Sequence, residues 1–190
     1  MPMLINSVKR LVIILPLIAL VGCSGRLYNV SPLPSGTPVD LPANVDDAFV
    51  VGAEILGGDE ALERFDANLP LAGVIAVEVQ LANRMATTVN TNSIKFQLRD
   101  ESGRSLKRLD PKKALKRVMK YYGNGFYRLD ARQQTIESYE AVSLPTNASI
   151  TPQQQLRGFV FYETQFNRTS VSGLSFSAGS GIKLINVKIN

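Results

Sequence analysis

The sequence predicts a mostly β fold, a two-sheet antiparallel sandwich with one inserted basic amphipathic helix. Seven short segments carry apolar residues in alternation or in short apolar runs, which is typical of strands. Turn-forming residues separate several of these segments, as at residues 100–103. One stretch, residues 111–122, instead places its apolar residues at helical spacing. Together these observations favour a sandwich interrupted by a helix.

The predicted strands differ in how they are buried. They cover residues 49–56, 75–81, 94–99, 136–144, 156–162, 174–176 and 182–189. In the clearest, Phe96 and Leu98 alternate with Lys95 and Gln97, so one face of the strand is buried. The segment 156–162 is nearly all apolar, which indicates a strand covered on both faces.

The inserted helix has clear sequence signals at both ends. Asp110 is a good N-cap, and Pro111 suits the first helical position. Gly123 is a natural C-terminal cap. Leu115 and Val118 belong to the apolar side of this helix. A shorter helix is predicted at residues 59–65.

The N-terminus has the pattern of a secretory signal. Lys9 and Arg10 precede an apolar run over residues 11–20, well short of the roughly 20 residues that span a bilayer. The run ends in the sequence Leu20-Val21-Gly22-Cys23. This quartet resembles the lipobox of bacterial lipoproteins, in which two aliphatic or small residues and a Gly or Ala precede a Cys.

The lipobox resemblance implies cleavage before Cys23 and attachment of lipid to Cys23. Since Ser24 rather than Asp follows, it also implies an outer-membrane destination, with the protein facing the periplasm. The alternatives are a plain signal peptide with an incidental Cys, or an anchor that is not cleaved. The expected division is a signal peptide over residues 1–22, a lipidated and Pro-rich tether over residues 23–47, and a sandwich domain over residues 48–190.

The tether is predicted from its prolines and from the lack of apolar periodicity. In a polyproline conformation it would reach on the order of 70 Å from the membrane. The alternative is that residues 40–48 pack along the edge of the domain.

A second resemblance covers residues 73–165. Its pattern consists of residues 74–83 ending in Asn83, residues 94–100 with Gly103, residues 150–152 and residues 156–161. This pattern resembles the immunoglobulin-like, telokin-like domains of small bacterial lipoproteins of unknown function. The resemblance implies a fold and an envelope setting but no catalytic residue, and the inserted basic helix departs from it.

Composition excludes several classes of site. The 190 residues contain no His, so a Ser-His-Asp triad and a HExxH metal site are absent. One Cys cannot form an internal disulfide or a zinc finger. The net charge is +5, and removal of Lys9 and Arg10 with the signal leaves about +3. We therefore predict a protein without enzymatic activity, cofactor or metal.

Two features are candidates for an interaction surface. Eight cations lie within residues 104–120 against one acid: Arg104, Lys107, Arg108, Lys112, Lys113, Lys116, Arg117 and Lys120. A basic amphipathic helix of this kind is suited to contact anionic lipid or an acidic partner. The alternative is an ordinary solvated helix face above an apolar stripe.

The second feature is the aromatic segment 121–127, which contains Tyr121 and Tyr127 around two glycines. Aromatic side chains supply contact area at low entropic cost. The alternative is a helix cap and turn whose rings cover the edge of the core.

The sequence thus predicts a membrane-anchored envelope lipoprotein that acts as a protein-interaction or assembly module. A binding protein for a small ligand or glycan is the alternative. The lipid on Cys23 makes the membrane one partner, and an envelope protein is expected to be another. The predicted location argues against nucleic acid.

Overall fold

The computed structural model describes residues 26–33, 43–45, 49–124, 129–179 and 184–187. The strands are β1 (Ala43–Val45), β2 (Phe49–Ile55), β3 (Val74–Asn83), β4 (Val89–Asn90), β5 (Lys95–Arg99), β6 (Arg108–Leu109), β7 (Ser149–Ile150), β8 (Gln155–Glu163), β9 (Ser175–Gly179) and β10 (Leu184–Val187). The helices are α1 (Gly58–Phe65), α2 (Pro111–Tyr121) and α3 (Leu129–Val142), and a short 3₁₀ helix spans Thr91–Ser93. This part of the chain is β-rich, which confirms the coarser prediction.

The central element is a five-stranded antiparallel sheet in the order β1-β2-β3-β8-β6. Its long strands β3 and β8 pair with Ile75 opposite Tyr162 and Val77 opposite Val160. Because side chains alternate along a strand, this register sends these four residues to the same face of the sheet. Glu78 lies on the other face of β3.

A second antiparallel sheet, in the order β10-β9-β5, covers one face of the first. Phe96 and Leu98 of β5 and Phe176 of β9 are buried in the core that the two sheets share. The Phe96 and Phe176 rings stack at 6.2 Å between centroids. Strands β4 and β7 form a separate two-stranded pair beside this core.

The three helices cover the opposite face of the five-stranded sheet and form a second core. Phe65 of α1 is fully buried there and contacts Phe159 and Phe161 of β8, with ring centroids 5.0 and 5.7 Å away. Tyr139 of α3 lies 5.2 Å from the same Phe65 ring. The described domain thus has three layers: helices, a five-stranded sheet and a three-stranded sheet.

Residues 26–33 are part of the helical layer. Tyr28 and Val30 are buried in the helix-side core at 6% and 4% exposure. The Leu27 backbone N–H donates to Thr135 Oγ1 at 2.9 Å, and the Ser31 N–H donates to the Arg64 carbonyl at 2.8 Å. The prediction of an unpacked tether is therefore wrong for this segment, because its apolar side chains complete a core that the helices leave open.

The domain consequently begins well before the predicted boundary at residue 48. Strand β1 pairs antiparallel with β2 and forms one edge of the five-stranded sheet. This is the alternative in which residues 40–48 pack along the domain edge, and the structure shows it for Ala43–Val45. The predicted signal peptide, residues 1–22, and the predicted lipidation residue Cys23 lie outside the described residues.

The prediction of a strand at residues 136–144 is also wrong, since most of that segment lies in α3. The buried residues of α3 are Ala131, Thr135, Tyr139 and Val142, which recur at helical spacing. Thr, Tyr and Val favour strands on propensity alone. Packing against the second core outweighs that preference. The structure therefore contains α3 in addition to the single inserted basic helix that the sequence predicts.

Candidate interaction surface

Helix α2 carries most of the predicted cations, and its ends are fixed as the sequence indicates. The Asp110 carboxylate accepts a hydrogen bond from the Lys113 backbone N–H at 2.8 Å, and Pro111 occupies the first turn. At the other end Gly123 has a φ of +71°, and the Asn124 N–H bonds the Met119 carbonyl at 2.8 Å. This is a Schellman ending, which confirms Gly123 as the cap.

The helix is amphipathic, so its cations project on the side away from the core. Its buried residues are Ala114, Leu115, Val118 and Met119. Its exposed residues include Lys112, Lys116 and Lys120, which are four apart and therefore form one stripe. This arrangement matches the predicted apolar stripe below a solvated face.

Neighbouring acids neutralise much of the predicted basic cluster. The ion pairs are Arg104–Asp100 at 2.9 Å, Lys107–Glu163 at 3.7 Å, Lys112–Glu140 at 3.5 Å, Lys113–Asp110 at 2.7 Å and Arg117–Glu163 at 2.6 Å. Glu140 and Glu163 come from α3 and β8, far away in sequence, so counting acids locally missed them. Most of these pairs are exposed, and each is worth about 0–1 kcal/mol at most.

The Asp110–Lys113 pair also shifts the ionisation of both groups. Partial burial raises the pKa of Asp110, but hydrogen bonds from the Lys113 side chain and backbone outweigh it and leave the pKa below its ordinary value. The side-chain hydrogen bond to Asp110 raises the pKa of Lys113. Both groups are therefore charged throughout the neutral range and hold each other at the helix start.

Arg117 is a structural residue rather than a free surface cation. Its guanidinium donates to the Gly73 carbonyl at 3.1 Å and to the Thr164 carbonyl at 2.8 Å, besides pairing with Glu163. It also lies 4.6 Å from the centroid of the Phe166 ring. With its polar groups used in this way, Arg117 joins α2 to the chain that follows β8.

The two remaining cations outside α2 also have neighbours. The Arg108 guanidinium lies over the Phe96 ring at 5.5 Å, and Arg104 belongs to the turn after β5. These positions separate both residues from the Lys112, Lys116 and Lys120 stripe. Among the described residues, Lys116 has no ion-pair partner.

The aromatic residues at the end of α2 form a ladder. Tyr121 stacks on Phe166 with centroids 6.2 Å apart and planes 10° apart. Tyr122 meets Tyr121 edge-on at 5.0 Å, and Tyr28 lies 6.3 Å beyond Tyr122. Phe166 and Tyr122 remain 38% and 40% exposed. These rings cover the edge of the core and are also partly exposed to solvent. The segment therefore combines the two alternatives given from the sequence, a contact surface and a cover for the core edge.

Hydrogen bonds fix the rings of the ladder in place. The Tyr121 hydroxyl donates to Asn167 Oδ1 at 2.9 Å, and the Tyr122 hydroxyl accepts from the Asn68 N–H at 3.0 Å. The Lys120 ammonium lies 5.8 Å from the Phe166 ring. We call Lys116, Arg117, Lys120, Tyr121 and Phe166 the aromatic–basic surface. The predicted residue Tyr127 lies outside the described residues.

A cleft of about 770 Å³ lies near the other end of α2, between the start of that helix, the end of α3 and strand β8. Leu109, Leu156 and Phe161 contribute apolar walls, and Arg157 contributes a guanidinium. Arg157 forms an ion pair with the buried Glu78. Its Nη1 atom is buried and has no hydrogen-bond partner within the described part of the chain.

Two further tests concern metals and membranes. Within the described ranges, no group of three or more Asp, Glu or Cys side chains is placed to hold a metal ion. None of the described helices has the length and apolar character needed to cross a membrane.

Comparison with known proteins adds little. No protein-family model matches this chain, and no curated protein matches it. One similar solved structure is the yjhA protein from Bacillus subtilis, with 9% identity and a TM-score of 0.45 over 78% of this chain and 96% of that chain. Another is a conserved hypothetical protein from Bacillus anthracis, with 13% identity and a TM-score of 0.38 over 77% of this chain and 92% of that one. Similarity at this level carries no information about function.

Proposed function

We propose that this protein is a non-enzymatic lipoprotein of the bacterial envelope that acts as a protein-interaction or assembly module. Lipid on Cys23 holds it at the outer membrane, facing the periplasm. The lipobox quartet ending in Cys23 and the short apolar run before it support the anchor. Ser24 supports the outer membrane as the destination.

The proposal includes an immunoglobulin-like sandwich as the core of the domain. Two antiparallel sheets around one shared core support this assignment, as does the sequence pattern within residues 73–165. The helical layer is then an addition to that sandwich, and it carries the surface through which the module acts.

One observation carries the assignment of the interaction site: Tyr121 stacks on Phe166, and the Lys120 ammonium lies 5.8 Å from the Phe166 ring. The exposed Phe166 ring is held against Tyr121, whose hydroxyl is hydrogen-bonded, so the stack loses little entropy on binding, and the cation beside it favours an acidic partner. The partner expected from this chemistry is a protein surface with carboxylates around an apolar group.

Site-specific photocrosslinking in cells tests this function. A photoreactive residue at Phe166 is expected to crosslink one envelope protein reproducibly, as identified by mass spectrometry. The matched control places the same residue at Lys95, which is exposed on the three-stranded sheet. Identical crosslinks from both positions, or none from Phe166, would remove the support for this surface.

The cleft favours a second function, the binding of a small ligand. Its volume of about 770 Å³ is in the range of small-molecule sites, and the Arg157 guanidinium would attract a carboxylate or similar anion. A thermal-shift screen tests this idea, because a ligand that binds only the folded protein raises Tm. Stabilisation by an anion that is lost in an Arg157→Met variant would support the cleft, and no stabilisation by any compound would exclude it.

A further inference from the structure

We propose that one part of the helical layer, the end of α2 and the start of α3, lies on the bilayer, with Tyr122 and Leu129 at the level of the lipid headgroups. This inference rests on the proposed lipidation of Cys23 and goes beyond it, since it assigns an orientation to the domain. We call Arg26, Tyr122, Leu129 and Arg132 the anchor-end surface.

The distance between anchor and fold carries the first step. Only Ser24 and Gly25 separate Cys23 from Arg26. Even a fully extended chain spans at most about 3.6 Å per residue, so Arg26 lies within roughly 11 Å of the lipidated residue. Because Leu27 bonds Thr135 and Tyr28 is buried, the fold begins almost at the membrane. A tether of tens of ångströms is thus absent from the segment that follows the anchor.

The second step identifies which part of the helical layer faces the lipid. Leu129 is six residues before Thr135 on α3, or about 9 Å along the helix axis. Tyr122 packs 6.3 Å from Tyr28, and the Tyr28 hydroxyl accepts from Asn124 at 2.8 Å. The end of α2 therefore lies beside Tyr28, while Arg26, the described residue nearest to Cys23, lines a cavity with Gln134 and Glu137 farther along α3.

The third step concerns the chemistry of this end. Leu129 is 82% exposed, which is unusual for a large apolar side chain, and Tyr122 is 40% exposed. Tyr side chains favour the membrane interface, where the ring is apolar and the hydroxyl is wet. Arg26 and Arg132 add guanidinium groups that suit the phosphates of lipid headgroups, beside the acids Asp130 and Glu137.

This orientation has a consequence for the opposite face. The three-stranded sheet is the layer farthest from the helices, because each pair of packed layers is separated by about 10 Å. Lys95 points away from the shared core on β5, so it lies roughly 20 Å or more above the helical layer. Helices and outer sheet should therefore differ sharply in their distance from lipid.

Tryptophan fluorescence can measure that difference, because the natural chain contains no Trp. The full-length lipidated protein would be reconstituted in phosphatidylethanolamine–phosphatidylglycerol vesicles whose acyl chains carry bromine, a quencher of short range. Three single-Trp variants are compared: Leu129→Trp, Lys95→Trp as the control on the outer sheet, and Arg26→Trp as the reference beside the anchor. All three positions are exposed, so folding should be retained, and circular dichroism checks it.

The expected result is that Leu129→Trp loses most of its fluorescence, as Arg26→Trp does, while Lys95→Trp is unaffected. Equal quenching of Leu129→Trp and Lys95→Trp, or none of Leu129→Trp, would overturn the orientation. Intact mass and vesicle flotation are measured first. If Cys23 carries no lipid, the proposed anchor and this orientation both fail, whereas a lipidated, floating protein with an unquenched Leu129→Trp overturns the orientation alone.

Discussion

The Leu27 backbone N–H and the Thr135 hydroxyl are joined by a hydrogen bond of 2.9 Å, which ties the start of the fold to the middle of α3. Thr135 is fully buried, and the same hydroxyl donates to the Ala131 carbonyl at 2.8 Å. The Thr135 side chain therefore accepts the hydrogen bond of the Leu27 N–H, a backbone donor that has no partner within a strand or helix. This contact makes residues 26–33 part of the domain.

Replacing Thr135 by Val should destabilise the protein by about 1–3 kcal/mol, because the Leu27 N–H would lose its acceptor while remaining partly buried. The shapes of Thr and Val are nearly the same, so packing changes little. Urea unfolding of the purified protein measures the loss. Ser138→Ala is the control: its hydroxyl bonds only the Gln134 carbonyl of its own helix, and we expect a change within about 0.5 kcal/mol. Equal midpoints for both variants would contradict the assignment.

The Glu78–Arg157 ion pair should show strong coupling in a double-mutant cycle. Glu78 is 4% exposed and the Arg157 side chain 15%, so removing either partner leaves a charge in a largely dry site. Glu78→Gln alone and Arg157→Met alone should each cost about 3–5 kcal/mol, and the double variant should recover much of that loss. Glu54→Gln, which changes an exposed carboxylate opposite Glu78 on β2, is the matched control. Additive effects of the two single changes would show that the pair is not coupled.

The turn after β5 should respond to acid through Asp100. A hydrogen bond from the Ser102 hydroxyl, followed by bonds from the Arg104 backbone and side chain, lowers the pKa of Asp100 from 3.8 to about 2. Since the folded-state pKa is depressed, this carboxylate contributes stability above pH 4 and loses that contribution as pH falls toward 2. Carbon-13 NMR titration of the carboxyl group measures its pKa directly. In Ser102→Ala the pKa should rise toward 3.8, and an unchanged titration would refute the role of Ser102.

Gly158 should not tolerate a side chain, although its backbone conformation is ordinary. A Cβ atom there would lie 2.5 Å from both the backbone N and the Cα of Leu144, which are held by a hydrogen bond from the Leu144 N–H to the Phe159 carbonyl. Gly158→Ala should therefore cost about 3 kcal/mol or more. Gly123→Ala is the comparison, because that site has open space but a φ of +71°, and about 1–2 kcal/mol is expected. Thermal and urea unfolding measure the loss of stability in both variants. A smaller loss in Gly158→Ala than in Gly123→Ala would contradict the prediction.

Much of the sheet could be predicted because its signals are local. The alternation along β5, the apolar run of β8, and the caps Asp110 and Gly123 each act within a few residues. Helix α3 was missed because its buried stripe includes Thr135 and Tyr139, which resemble strand residues when read alone. The spacing of these two residues indicates a helix only when a core is known to lie on one side of the segment.

The candidate surface was harder to predict because its decisive contacts join distant parts of the chain. Phe166 carried no local signal, and its place against Tyr121 depends on the turn that follows β8. Glu140 and Glu163 neutralise cations from other elements. Charge counted along the sequence therefore overstated the basic character of α2, while exposure and ring stacking could be seen only in three dimensions.

The burial of Tyr28 and Val30 has a practical consequence for making a soluble form of this protein. A recombinant chain that starts at residue 48, where the sandwich was predicted to begin, would lack strand β1 and two core side chains. Apolar residues of the helix-side core that pack with Tyr28 and Val30 would then be exposed to water, and the purified material would be prone to aggregate. A soluble version should instead begin at Ser24, directly after the proposed lipid attachment residue.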